Sequence, residues 1–107
     1  MPNKPYTISE IQHLIYPIAQ RYGVERVLLF GSYARGVAKP NSDIDLRVDS
    51  GAIRGYFKLA GFHRELEEVL ATSVDMLTTG ALDEKFLARI SKDEVVLYEQ
   101  LPPTSQF

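Results

Sequence analysis

The chain has 107 residues, with 12 basic and 14 acidic side chains, a formal net charge of −2 and no cysteine. This length can bury roughly two thirds of the unfolded surface, enough for one hydrophobic core, so we expect a single domain over residues 1–100. The charge balance argues against direct binding along a nucleic-acid backbone, and the lack of cysteine excludes disulfides and thiolate metal sites. No apolar stretch suits a signal peptide or a membrane span, so we expect a cytoplasmic protein without membrane contact.

The first predicted element is an amphipathic helix that begins after Thr7. Thr7 and Glu10 have the spacing of a capping box, and Gly23 is a typical C-terminal stop. Pro17 lies inside this helix and removes one backbone hydrogen bond, so we expect a kink there. The predicted apolar face consists of Ile8, Ile11, Leu14, Ile15, Ile18 and Tyr22.

A glycine-serine turn follows the first predicted strand, Val27–Phe30. Gly31 and Ser32 allow the backbone to turn sharply into a short helix, whose free N–H groups favour an anion. Arg35 adds a planar set of donors suited to phosphate oxygens. The alternative is that Ser32 only caps the helix and that Arg35 is a solvated surface charge.

Polar and apolar residues alternate over 43–49, which predicts a strand with one buried face. Asp43 and Asp45 then lie on the same face, where their charges repel each other unless a cation lies between them. Carboxylate oxygens in this arrangement suit Mg²⁺. An edge strand with an ordinary charged outer face is the alternative.

Together the turn and the paired aspartates form a specific motif. Residues 30–36 read Phe-Gly-Ser-Tyr-Ala-Arg-Gly, residues 42–46 read Ser-Asp-Ile-Asp-Leu, and ten residues separate Ser32 from Asp43. This pattern resembles the minimal nucleotidyltransferase family of the DNA polymerase beta superfamily, from the first helix to the last strand. The resemblance implies an α+β fold. Because polar and apolar residues alternate over 43–49, one face of the sheet should be open to solvent, and we expect a small mixed sheet with helices on one face and carboxylates on the other.

A second long helix is predicted from Tyr56 to Leu70, after a loop that contains two glycines. Its charged residues fit a solvated face better than a binding patch. The predicted solvated residues are His63, Arg64, Glu65, Glu67 and Glu68. The predicted buried residues are Leu59, Phe62, Leu66, Val69 and Leu70.

The next predicted strand, Val74–Thr78, carries one carboxylate, Asp75. Asp75 and Leu77 point to one side of this strand in alternation, so a carboxylate interrupts an otherwise apolar segment. Burying it without a partner would cost free energy, whereas a surface aspartate on an edge strand would not. The resemblance implies that Asp75 is the third carboxylate of the metal site.

The last predicted elements are a short helix at Asp83–Ile90 and a strand at Val95–Tyr98. Residues 101–107 contain two prolines and no periodicity, so we expect a mobile tail. The predicted core side of the short helix consists of Leu82, Phe86, Leu87 and Ile90.

The resemblance implies an enzyme that transfers a nucleotide from ATP with two Mg²⁺ ions as cofactors. Asp43, Asp45 and Asp75 would hold the ions, which allow a polyanionic triphosphate to approach an acidic site. Asp75 would also help to deprotonate the acceptor hydroxyl. The residues expected to hold the departing β- and γ-phosphates are Gly31, Ser32 and Arg35.

The resemblance further implies that the acceptor is a protein. It would be a tyrosine of a helical HEPN-type ribonuclease toxin encoded by a neighbouring gene, so this chain would be an antitoxin that acts by AMPylation. No stretch of the sequence identifies that partner by itself. Two alternatives remain, namely a non-catalytic antitoxin that neutralises its partner by binding and an ATP-binding regulatory module.

Overall fold

The computed structural model describes residues 5–51, 53 and 55–100, which form one four-stranded sheet with helices around it. The strands follow the order β3-β2-β1-β4; β1 is antiparallel to β2 and β4, whereas β2 and β3 are parallel. The elements are α1 (Ile8–Tyr22), β1 (Arg26–Phe30), α2 (Gly31–Arg35), β2 (Ile44–Asp49), α3 (Tyr56–Leu70), β3 (Val74–Thr78), a 3₁₀ turn (Thr79–Ala81), α4 (Glu84–Ile90) and β4 (Val95–Glu99). The predicted α+β architecture with a mixed sheet is confirmed.

The ends of α1 follow the predicted local signals. The Thr7 side chain accepts from the backbone N–H of Glu10, and the Glu10 carboxylate accepts from the backbone N–H of Thr7. Gly23 adopts the left-handed conformation at the other end, with φ 75°. The helix continues through Pro17 to Tyr22, and the kink at Pro17 stays a prediction.

The hydrophobic core lies between one face of the sheet and the helices α1 and α3. Val27 pairs with Val48 and Leu29 with Leu46, and all four side chains are fully buried. Burying side chains of this size contributes roughly 1.5–3 kcal/mol each relative to exposure. The residues that α1 and α3 bury completely include Ile11, Ile15, Phe62, Leu66 and Leu70.

Two predictions about buried faces are wrong in part. Val69 is 37% exposed, because the buried residues Phe62, Leu66 and Leu70 follow each other at intervals of four and leave Val69 at the border of that face. The apolar residues of α4 are only half-buried, because α4 lies outside the core, where Phe86 meets Phe30 edge-to-face at 6.3 Å between ring centroids.

The charged residues of α3, which were predicted to face solvent, also form contacts within the protein. Arg21 forms an ion pair with Glu65, and the Tyr22 hydroxyl donates to Glu65 at 2.5 Å. His63 and Glu67 both contact the backbone of β3. The charge run therefore ties α3 to α1 on one side and to the sheet on the other.

Within the described residues, no helix is long and apolar enough to cross a membrane. The tail at 101–107, which was expected to be mobile, lies outside the described residues.

Candidate active site

Gly31 brings the backbone of the β1–α2 turn against the Asp45 carboxylate. It adopts φ 76°, a left-handed conformation that favours glycine. A Cβ added there would lie 2.9 Å from the Asp45 carboxyl carbon and closer still to Oδ2. The helix α2 that follows ends after five residues at Gly36, which is also left-handed. The predicted glycine-serine turn and short helix are thus present, and Gly31 is required by space as well as by conformation.

The strand β2 separates apolar from charged side chains as predicted. Ile44, Leu46 and Val48 are fully buried, while the residues between them are only partly buried. Because successive side chains of a strand point to opposite faces, Asp45 and Asp49 point away from the core. Asp43 immediately precedes the strand and is exposed.

Asp75 lies directly beside Asp45 in the sheet. The two residues are register partners on the parallel strands β2 and β3, which places their side chains on the same face of strands about 4.8 Å apart. Asp75 is exposed, whereas Asp45 is half-buried. The structure therefore brings together the carboxylates that the sequence places 30 residues apart.

The electrostatic balance at Asp45 disfavours its charged form. Burial raises the pKa of the Asp45 carboxyl, the charges of Asp75 and Asp43 raise it further, and the Arg35 guanidinium partly opposes them. A cation or a proton would relieve this repulsion. Arg35 lies close enough for its charge to act on Asp45, while its predicted contact with phosphate oxygens stays a prediction.

The donor set fits Mg²⁺ that is shared with a substrate. Within the described residues, no group of three acidic, histidine or cysteine side chains could hold a metal ion by itself. Mg²⁺ commonly binds through one or two carboxylates, while waters and substrate phosphates supply the other ligands. The repulsion at Asp45 and the hard oxygen donors around it match that mode of binding.

A charged network that the sequence analysis missed continues along the same face of β2. We call Arg26, Arg47, Asp49, Thr79 and Glu94 the Arg47 network. Arg47 donates to both oxygens of Glu94 at 2.5 and 2.8 Å and to the Thr79 hydroxyl at 2.9 Å. Arg26 donates to Asp49 at 2.8 Å. Only the alternating charges of β2 hinted at it, because Glu94 lies 47 residues from Arg47.

The network changes the titration of Asp49. Burial alone would raise the pKa of this carboxyl, but hydrogen bonds from Thr79 and Arg26 and the charges of Arg26 and Arg47 together lower it. The side chains of Arg47 and Glu94 are only 12% and 7% exposed. This part of the face is therefore neutralised by the protein itself.

The clefts of the surface only partly coincide with the carboxylates. Two clefts of about 400 and 430 Å³ lie along the outer side of α1 and share Ser9 and His13. A smaller cleft of about 220 Å³ includes Asp43, with Tyr6, Tyr33 and Ser73 among its lining. We assign the site to the carboxylates rather than to the two larger clefts along α1, because the repulsion at Asp45 calls for a bound cation.

The chain is similar to known proteins in sequence and in fold. Residues 13–102 match the family described as polymerase beta, nucleotidyltransferase. A protein of Methanocaldococcus jannaschii, named as a putative protein adenylyltransferase, is 41% identical over 88 residues, which are 82% of this chain and 95% of that relative. The protein adenylyltransferase MntA of Thermococcus cleftensis is 30% identical over 93 residues, covering 83% of this chain and 94% of MntA.

One solved structure with the same fold is that of a tri-AMPylated Shewanella oneidensis HEPN toxin in complex with an MNT antitoxin. The TM-score is 0.66 at 16% identity, and the alignment covers 88% of this chain and 74% of that one. The family match spans the glycine-serine turn and all three carboxylates. This chain therefore belongs to the polymerase beta nucleotidyltransferase family and is a minimal nucleotidyltransferase.

Proposed function

We propose that this protein is a Mg²⁺-dependent adenylyltransferase that moves AMP from ATP to a tyrosine hydroxyl of a HEPN-type toxin and so acts as its antitoxin. The observation that carries the proposal is the repulsion around Asp45, a carboxylate that lies beside Asp75 in the sheet and packs against Gly31 of the glycine-serine turn. Three relatives at 30% identity or more are named as a protein adenylyltransferase or a putative one, and a structural neighbour is a complex that contains an AMPylated HEPN toxin.

Asp43 and Asp45 would hold two Mg²⁺ ions, and Asp75 would contribute to the ion nearer the acceptor. Bound Mg²⁺ would neutralise charge between the carboxylates and the triphosphate and stabilise the attacking and leaving oxygens. The residues that would hold the β- and γ-phosphates are Gly31, Ser32 and Arg35. Arg35 supports this assignment because its charge already acts on Asp45.

In the proposed reaction the acceptor oxygen forms a bond to the α-phosphorus of ATP. The bond from this phosphorus to the oxygen that bridges to the β-phosphate breaks, and pyrophosphate leaves. A tyrosine hydroxyl has a pKa near 10, so it must lose its proton as it attacks, and Asp75 would accept that proton. Asp75 is exposed at the edge of the sheet, where a side chain of another protein can reach it.

Intact mass spectrometry tests the proposal directly. The purified protein is incubated with ATP and Mg²⁺, with and without the product of its neighbouring gene. A Mg²⁺-dependent gain of the mass of AMP on the partner is expected. Asp75→Asn should abolish the gain and keep much of the ATP affinity, whereas an equal loss of transfer and affinity would contradict the proposed role of Asp75.

The same experiment separates the two alternatives. Tight association with the partner without a mass gain would favour an antitoxin that acts by binding alone, and both association and neutralisation would then survive Asp75→Asn. ATP binding without association or transfer would favour a regulatory module. Asp93→Asn is a matched control, because Asp93 is exposed in the turn before β4 and outside the site.

A further inference from the structure

Two side chains of α3 hold the residue that precedes Asp75. Nε2 of His63 lies 2.7 Å from the carbonyl oxygen of Val74, so this nitrogen carries a proton and donates. The Glu67 carboxylate accepts from the backbone N–H of Val74 at 3.0 Å. His63 and Glu67 are one helical turn apart, with 3.6 Å between Nε2 and Oε2. Both backbone polar groups of Val74 are therefore bound by one face of α3.

These hydrogen bonds take the place of those that a neighbouring strand would make. In the part of the chain that the structure describes, β3 lies at the edge of the sheet, with β2 on one side only. The backbone N–H of Ile44 in β2 donates to the carbonyl of Ser73 at 3.0 Å, and in a parallel ladder alternate residues face the neighbouring strand. Val74 consequently turns its backbone groups outward, where α3 satisfies them.

The orientation of Asp75 depends on this contact. The Val74 carbonyl belongs to the same planar peptide unit as the N–H of Asp75. A hydrogen bond that holds this carbonyl therefore also holds the peptide plane that precedes the Cα of Asp75. The Val74 side chain is buried in the core, whereas the Asp75 side chain is exposed. Asp75 thus has little packing of its own to set its direction.

We propose that His63 and Glu67 are positioning residues for Asp75, which they orient through the backbone of Val74. The inference rests on the proposed function, in which Asp75 binds Mg²⁺ and accepts the proton of the acceptor hydroxyl. A shift of about 1 Å in a catalytic group can lower a rate by up to about a hundredfold. The clamp on Val74 prevents such a shift at the edge of the sheet, where no further strand supports the backbone.

The expected effect is on kcat more than on the KM for ATP. His63→Ala should lower kcat about tenfold or more and change the KM for ATP less than about twofold, because the proposed phosphate-binding residues belong to α2 and not to β3. His63→Gln should restore most of kcat, because its amide can donate to the same carbonyl. Glu68→Ala, an exposed residue of the same helix, should leave both constants unchanged.

Hydrogen exchange of the β3 amides measures the clamp without reference to activity. His63→Ala should speed exchange in Val74–Thr78 about tenfold and leave β1 unchanged. A kcat loss that His63→Gln does not restore, or a loss confined to KM, would overturn the positioning role. If His63→Ala does not fold, Glu67→Ala with Glu67→Gln as its conservative partner gives the same test.

The two proposals fail in different ways. If the wild-type protein transfers no AMP, the proposed function is wrong, and faster exchange in His63→Ala still supports the clamp on β3. If exchange in Val74–Thr78 is unchanged in both His63→Ala and Glu67→Ala, the positioning role is wrong, whatever the activity of the wild type.

Discussion

Asp45 and Asp49 lie on the same face of β2, four residues apart, and their carboxyls titrate in opposite directions. The pKa of Asp45 is raised by burial and by the neighbouring carboxylates Asp75 and Asp43, and the charge of Arg35 opposes this only in part. The pKa of Asp49 is lowered in spite of burial, because Thr79, Arg26 and Arg47 surround it. The protein completes the charge balance at one aspartate and leaves it open at the other.

This difference separates a structural carboxylate from a ligand-binding one. An internally paired group stabilises the fold and needs nothing from outside. A group held among like charges stores repulsion that a bound cation would relieve, as in many sites where function and stability conflict.

Asp45→Asn should abolish transfer and stabilise the metal-free protein. We expect at least about a thousandfold loss of activity, corresponding to roughly 4 kcal/mol, together with loss of Mg²⁺-dependent ATP binding. Without metal, the substitution removes repulsion and should raise the free energy of unfolding, by less than about 1 kcal/mol because solvent screens charges at this half-buried site. Isothermal titration with ATP and thermal melts in EDTA measure the two effects, and a normal Mg²⁺-dependent titration would contradict the role of Asp45.

Arg47→Ala should destabilise the protein, in contrast to Asp45→Asn, because it breaks the network that neutralises Asp49. Removing Arg47 leaves the nearly buried Glu94 carboxylate without its partner, which should cost about 3 kcal/mol of unfolding free energy. Urea denaturation measures this loss. Arg64→Ala, which removes an exposed arginine of α3, should change stability by less than about 0.5 kcal/mol. Equal effects of the two substitutions would show that the Arg47 network contributes nothing specific.

Gly31→Ala should damage the turn beside Asp45 in two ways. The left-handed backbone disfavours alanine, and the added methyl group would collide with the Asp45 carboxylate. We expect a loss of about 2 kcal/mol of unfolding free energy and a drop in transfer activity. Gly80→Ala is the control, because a Cβ there meets nothing within 4 Å. A fully active Gly31→Ala would show that the backbone need not approach Asp45.

The two aspartates should also differ in how stability depends on pH. Because the folded pKa of Asp45 is raised, its charged carboxylate destabilises the fold above that pKa, and this destabilisation disappears as pH falls to 3.8 and below. Because the folded pKa of Asp49 is lowered, its charged carboxylate stabilises the fold above pH 3.8, and this stabilisation is lost as pH falls through the folded pKa. Denaturation is measured from pH 7 to pH 3. As pH falls, the higher stability of Asp45→Asn should vanish first, and the lower stability of Asp49→Asn should vanish at lower pH. Parallel profiles for the two variants would contradict the contrast.

Much of the fold and part of the site followed from local pattern. The capping box at Thr7, the helix from Tyr56 to Leu70 and the strand Val74–Thr78 lie where spacing predicts them. The alternation after Asp43 predicted which face Asp45 occupies, because strand geometry alone decides it. These features depend on residues within one or two turns of each other, so the sequence by itself determines them.

The long-range contacts depended on the tertiary structure. The sequence does not state the order of the strands, and only the parallel pairing of β2 with β3 puts Asp75 beside Asp45. The pairing of Arg47 with Glu94 and the hold of His63 on Val74 likewise join residues from separate elements. Side-chain charge and periodicity determine what a residue can do locally, but the packing of the sheet and the helices determines its partner. For this reason only the tertiary structure decided that Asp49 is neutralised and Asp45 is not.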